Sequence, residues 1–130
     1  MIDIYAGKTA ATIINEQGLK PELFTSFLGA SGGPKWFTLF GLDKYLFGEF
    51  FKGRTQQLNL IGSSAGAFRA ACFSQNDPVA AITRLAKSYS ETRYETNKPT
   101  PEEITTKARA LLEEVFGDNG VAEIINNPVF

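Results

Sequence analysis

The sequence has no histidine, one cysteine, one tryptophan and one methionine among its 130 residues. Without histidine, a Ser-His-Asp or Cys-His mechanism cannot be assembled from this chain. An activated nucleophile here needs a different base or one supplied from outside. The lone Cys72 excludes an internal disulfide and a cysteine-built zinc site. Its neighbours Ala70, Ala71 and Phe73 make it a small buried apolar side chain rather than a redox centre. Charge of either sign is not in excess, with 13 Lys plus Arg against 14 Asp plus Glu and a net charge of −1. That balance leaves no electrostatic footprint for nucleic acid or an anionic membrane. No apolar run approaches the roughly 18–20 residues that a membrane span needs, and Asp3 interrupts the stretch where a signal peptide would carry its apolar region. The expected location is the cytoplasm, and neither a metal nor a cofactor is expected.

What is present suits one globular domain over residues 1–130, with 43% hydrophobic and 21% charged residues. Lys8 to Gln17 reads as a helix stopped by Gly18. Leu23 to Leu28 is an apolar run expected to be a buried strand, closed by the glycine-rich stretch Gly29 to Pro34. From Lys35 to about Phe51 the apolar residues cover more than one helical face. The pattern predicts a helix buried on most sides, with Asp43 on its wetter side. The phenylalanines of residues 24–51 are expected to be mainly ordinary core rather than the wall of an acyl tunnel. Gln57 to Ile61 is the second strand, Gly62 to Gly66 a tight turn, and Ala67 to Phe73 a small-residue helix. Asp77-Pro78 opens another helix as N-cap and first residue, and Glu91 to Pro99 is a polar surface loop. Thr100-Pro101-Glu102-Glu103 is a capping box for a helix that runs to Phe116 and stops at Gly117. Strand, glycine loop, helix, strand, sharp turn and helix make a βαβ unit, so the expected class is α/β with a mainly parallel sheet.

Two strand-to-helix junctions carry chemistry. Gly62-Ser63-Ser64-Ala65-Gly66 fits G-x-S-x-G between an apolar strand and a helix. A nucleophile elbow holds its serine in a strained turn, which requires minimal side chains two residues before and two after. Ser64 then projects at a helix start, where the amide of Ala65 can stabilise developing negative charge. A small-residue packing turn is the bland alternative. The second junction is Gly29-Ala30-Ser31-Gly32-Gly33-Pro34-Lys35-Trp36, whose glycines leave bare amides at a helix start. A phosphate loop would need glycine where Pro34 stands and a hydroxyl where Trp36 stands. A dinucleotide fingerprint is broken at Ser31 and Pro34. An oxyanion hole needs only two free amides beside a nucleophile. Adjacent parallel strands would set this loop next to Ser64 at the sheet's C-terminal edge.

Taken together, Ser31-Gly32-Gly33-Pro34-Lys35 and Leu60-Ile61-Gly62-Ser63-Ser64-Ala65-Gly66-Ala67 resemble the paired motifs of patatin-like phospholipases over roughly residues 23–75. The resemblance implies a three-layer α/β/α fold and a serine lipid acyl hydrolase with a Ser-Asp dyad, which agrees with the missing histidine. It implies Ser64 as nucleophile, Gly32, Gly33 and Ala65 as oxyanion donors, Gly62 and Gly66 as the elbow glycines, and Lys35 as the loop's basic residue. Ser31 in place of the loop's first glycine and Trp36 in place of a small residue depart from the family pattern.

The family's aspartate lies in an Asp-Gly-[Gly/Ala] motif far downstream, and this sequence has no such tripeptide. Asp118, in Asp118-Asn119-Gly120, is the nearest mimic but reads as a turn. Lys35 is an alternative partner for serine, as in Ser-Lys sites. The expectation is an N-terminal portion of a longer domain, incomplete on its C-terminal side and weakly active or inactive alone. Expected partners are a lipid or small acyl ester, peripheral contact with a membrane, and other copies through an exposed sheet edge. Two further readings stay open: a catalytically incomplete lipid-binding fragment, and a non-enzymatic anion- or phosphate-binding α/β module.

Overall fold

A computed structural model of the chain describes residues 3–130. Two short strands, β1 (Ser26–Gly29) and β2 (Asn59–Gly62), pair in parallel with Phe27 opposite Leu60 and Gly29 opposite Gly62. The connection between them is helical from Gly33 to Phe50, so the motif is the expected βαβ unit and the architecture is α/β. Because Gly29 and Gly62 are register partners, the loops that follow them leave the sheet side by side.

Strand β1 is shorter than expected. Leu23 instead closes a 3₁₀ turn (Pro21–Leu23), with Pro21 preset for the first helical position, and Phe24 and Thr25 stay outside the strand. The connecting segment also differs from one uniform helix: a 3₁₀ stretch (Gly33–Leu39) leads into α2 (Phe40–Tyr45) and then a π turn (Leu46–Phe50). It is buried along one stripe of Trp36, Asp43, Phe47 and Phe51 rather than on most sides. Leu39 and Tyr45 face outward at 37% and 56% exposure. This follows from the sheet. Phe27 and Leu60 turn toward the helices, whereas their neighbours Leu28 and Ile61 are 73% and 58% exposed on the opposite face. Helices therefore cover one face of the sheet among the described residues.

The remaining elements match their local signals closely. α1 (Lys8–Gln17) ends at Gly18, whose amide donates to Ile14 at φ +80°, yet α1 buries none of its side chains. α3 (Ala65–Phe73) starts directly after Ser64. α4 (Pro78–Glu91) is capped by Asp77, whose carboxylate accepts from the Ala80 amide at 2.8 Å. α5 (Pro101–Phe116) is capped by Thr100, which accepts from the Glu103 amide at 3.2 Å. The box is only half closed, because Glu103 turns its carboxylate to the Glu95 amide at 2.9 Å and so ties down the loop before the helix. A short α6 (Gly120–Ile125) was not expected. After it the Asn127 amide group donates to the Ser74 carbonyl, and its oxygen accepts from Val129 and Phe130. The Leu58 amide in turn donates to the Val129 carbonyl at 2.8 Å, so the last residues lie beside the start of β2.

The core gathers Leu58, Cys72, Phe73, Ile82, Leu85 and Val115 between the sheet and α2 to α5. Most phenylalanines belong to it, with Phe47 stacked on Phe73 and Phe27 edge-on to both. Cys72 is fully buried, and burial pushes its thiol up to about 12, which makes it an unreactive apolar side chain.

The expectation for Asp43 is corrected. It is fully buried and held in a two-pronged ion pair by Arg69 of α3, with Nε to Oδ2 at 2.7 Å and Nη2 to Oδ1 at 2.5 Å. The Arg69 guanidinium also lies over the Phe27 and Phe73 rings, 5.7 and 5.9 Å from their centroids. Asp43 stands seven residues after Trp36 and four before Phe47, a helical spacing that puts it on their face. An acid there enters the core and requires a partner. Burial raises its carboxyl against the opposing pull of Arg69.

Candidate active site

Three glycines set the site's geometry. A Cβ on Gly66 would stand 2.0 Å from the Gly29 carbonyl oxygen, and one on Gly62 would lie 2.5 Å from backbone atoms of Gly66 and Ala67. No side chain fits such contacts, so the end of β1, the end of β2 and the first turn of α3 touch backbone to backbone. The Ser63 amide donates to the Gly29 carbonyl at 3.2 Å and ties the turn to the neighbouring strand. Gly66 and Ala67 donate back to the carbonyls of Ser63 and Ser64, each at 2.9 Å, and close the turn.

Ser64 sits at the apex with φ +51° and ψ −122°, the only positive φ among the described non-glycine residues. This conformation costs on the order of 1–3 kcal/mol for a residue with a Cβ and persists only where surrounding contacts enforce it. A small-residue packing turn would need no such strain at its serine. Ser64→Gly removes the strain but frees the unfolded chain, which takes back roughly 0.5–1 kcal/mol. The variant is expected to unfold at higher urea, with a net gain of about 1 kcal/mol, and Ser64→Val at lower urea. Urea unfolding followed by circular dichroism checks both.

The glycine loop faces the same space. Gly33 takes φ +50° at the start of the 3₁₀ stretch, and the Lys35 amide closes the turn onto the Gly32 carbonyl at 3.1 Å. Among the described residues, the amides of Gly32, Gly33 and Ala65 donate to no backbone or side-chain acceptor. Gly33, Pro34, Ser64 and Ala65 together line one end of a cleft of about 350 Å³. Trp36 and Phe68 form its inner wall, Leu85 and Tyr89 of α4 one side, and Ile104, Lys107 and Leu111 of α5 the other. Burial, with Tyr94 adding, holds the Tyr89 phenol above its ordinary value, so it remains a neutral hydroxyl at physiological pH.

The expected site residues divide accordingly. Ser64, Gly33 and Ala65 share the cleft, while Gly32 flanks it without lining it. Gly62 and Gly66 act through close packing. Lys35 is exposed and lies outside the lining, so the Ser-Lys alternative is not assembled here. Asp118 belongs to a different depression, shared with Gln75, Asp77 and Arg84. Asp43 is held by Arg69 and Asp77 caps α4, and no carboxylate is among the residues lining the Ser64 cleft. No group of acidic, cysteine or histidine residues that could hold a metal occurs among the described residues, and no described helix is long and apolar enough to cross a membrane.

Sequence reasoning missed the far wall of the cleft. Tyr89, Ile104 and Lys107 come from helices that follow the motifs, and only tertiary packing of α4 on α5 and α3 brings them to Ser64. The half-polar, half-apolar character of both helices was the available signal. No protein-family model, curated protein or solved structure matches the chain.

Proposed function

We propose that the chain carries the nucleophile and oxyanion half of a serine acyl hydrolase, of the kind that the patatin-like resemblance implies. The observation that supports this most is the strained Ser64 at a strand-to-helix apex, sharing one cleft with the glycine loop and the free Ala65 amide. In this reading the Ser64 Oγ attacks an ester carbonyl, and the amides of Gly33 and Ala65, with Gly32 beside them, hold the tetrahedral oxyanion. The serine proton passes to an aspartate outside these 130 residues. It is then returned to the leaving alcohol, and water hydrolyses the acyl-enzyme. The finer fold, a three-layer domain with helices also over Leu28 and Ile61, belongs to the same proposal. So do the lipid-type substrate and contact with a membrane surface.

Hydrolysis of nitrophenyl butyrate by the whole protein tests it. A second reading, an anion-binding module, draws on the same free amides and on the lack of a carboxylate in the cleft lining. Thermal stabilisation by inorganic phosphate without ester hydrolysis would favour that reading over the first.

A further inference from the structure

We infer that Arg54 is a positioning residue: its guanidinium locks the register of β1 on β2, and through that register it holds the glycine loop beside Ser64. The inference rests on the reading of the Ser64 cleft as the active site. Arg54 itself is outside the cleft lining, half-buried in the segment that leads into β2. Its forked head meets four main-chain carbonyls from two segments. On the approach to β1, Nη1 donates to Pro21 and Nη2 to Phe24 at 2.5 Å. On the approach to β2, Nε donates to Gln56 at 2.7 Å and Nη2 again to Gln57 at 3.2 Å. The Phe51 ring, 5.9 Å from Cζ, covers one face of the guanidinium.

The pairing of Ser26 with Asn59, carried two residues back, sets Phe24 opposite Gln57. These are the two residues whose carbonyls share Nη2, so Arg54 extends the register beyond the strands. Asn59 follows, with its main-chain and side-chain amides both donating to the Thr25 carbonyl, at 3.0 and 3.1 Å. Side-chain alternation does not fix this register by itself. A shift of one residue would turn Phe27 and Leu60 away from the helices, but a shift of two keeps them in the core. Such a shift moves Gly29 about 7 Å along β2. Gly29 then leaves Gly62 and the close backbone contact with Gly66 that shapes the elbow. Two strands with four pairs between them are weak alone. Arg54 supplies, at the end of the sheet opposite to Ser64, the bonds that a shifted pairing would break.

Amide hydrogen exchange and the rate of fluorophosphonate labelling are compared on the whole protein, on Arg54→Met and on Arg54→Lys. In Arg54→Met the amides of Asn59 and Ser63, which donate to Thr25 and Gly29, are expected to exchange about tenfold faster. The amides of the buried Leu111 and Val115 in α5 are expected to keep their wild-type rates. Labelling at Ser64 is expected to slow about a hundredfold, the effect of displacing a reacting group by about 1 Å. Lysine keeps the charge but offers one nitrogen in place of a planar fork, so Arg54→Lys is expected to share both changes. Exchange that accelerates equally in α5 overturns the inference, because Arg54 would then support the fold as a whole and not the strand register. So do full recovery by lysine, unchanged exchange at Asn59 and Ser63, and variants that label as fast as a labelled wild type. A wild type that takes up no fluorophosphonate counts against the nucleophile alone, since exchange at Asn59 and Ser63 still decides the role of Arg54.

Discussion

Ser64→Ala is expected to lower ester hydrolysis by the whole protein at least about a thousandfold, toward the residual rate that binding and oxyanion stabilisation alone supply. The size of the effect follows from the kind of group removed. A hydroxyl that becomes the covalent partner of the acyl group has no substitute among the cleft residues: Tyr89 is held neutral, the Thr92 hydroxyl donates to the Ser88 carbonyl at 2.8 Å, and Tyr94 belongs to the loop after α4. Alanine at this apex keeps a Cβ and hence the strain, so the fold and its unfolding midpoint should change little. The pairing of lost turnover with unchanged stability separates a missing nucleophile from a collapsed elbow. A fall of less than tenfold would assign the chemistry to another group.

Asp43→Ala is expected to cost about 3–5 kcal/mol, a large share of the roughly 5–15 kcal/mol that holds a domain of this size. Arg69 would stay behind at 3% exposure, with two ring faces and no counter-ion. Deleting one partner strands a charge, whereas replacing both does not. The double variant Asp43→Leu/Arg69→Met should therefore be more stable than Asp43→Ala, and in favourable packing close to the wild type. The pair also has a positional consequence. Arg69 lies on α3 just over one turn after Ser64, and Asp43 lies on α2, so their two hydrogen bonds fix the direction in which α3 leaves the elbow. Thermal unfolding of the three proteins checks the order. An Asp43→Ala cost below about 1 kcal/mol would mean that solvent reaches the pair.

How much of this was legible beforehand depends on how local the cause was. Helix ends were readable because capping is decided within four residues. Gly18, Asp77-Pro78, Thr100 and Gly117 bound their helices where side chain and backbone alone would put the limits. The elbow was readable for a related reason: its glycines answer to contacts that exclude any Cβ, and this limits the residue types allowed. The Asp43–Arg69 pair joins residues 26 positions apart, and the helical pattern alone puts Asp43 on the wetter side. Even so, each is a charge set in an apolar pattern, Asp43 within the Trp36–Phe47 stripe and Arg69 as the single charge of Ala65–Phe73. Two such residues of opposite sign are a pairing signal. The cleft's far wall and the tail beside β2 have no comparable local cause. They depend on how α4 packs on α5, and on Asn127 meeting a carbonyl 53 residues away.

The general base divides the two kinds of knowledge most sharply. An elbow and an oxyanion loop are formed by short segments, and both lie in the sequence close to the strands that position them. A base reaches its serine through the tertiary fold. None of the chain's aspartates is among the residues lining the cleft, and the proposal supplies that carboxylate from outside these residues.

The most direct measurement is covalent labelling of the whole protein with a fluorophosphonate, followed by peptide mass mapping. The account predicts one adduct, on the peptide that carries Ser64, absent from a folded Ser64→Ala protein. Equal label on the two proteins, whether on another residue or none at all, would contradict it.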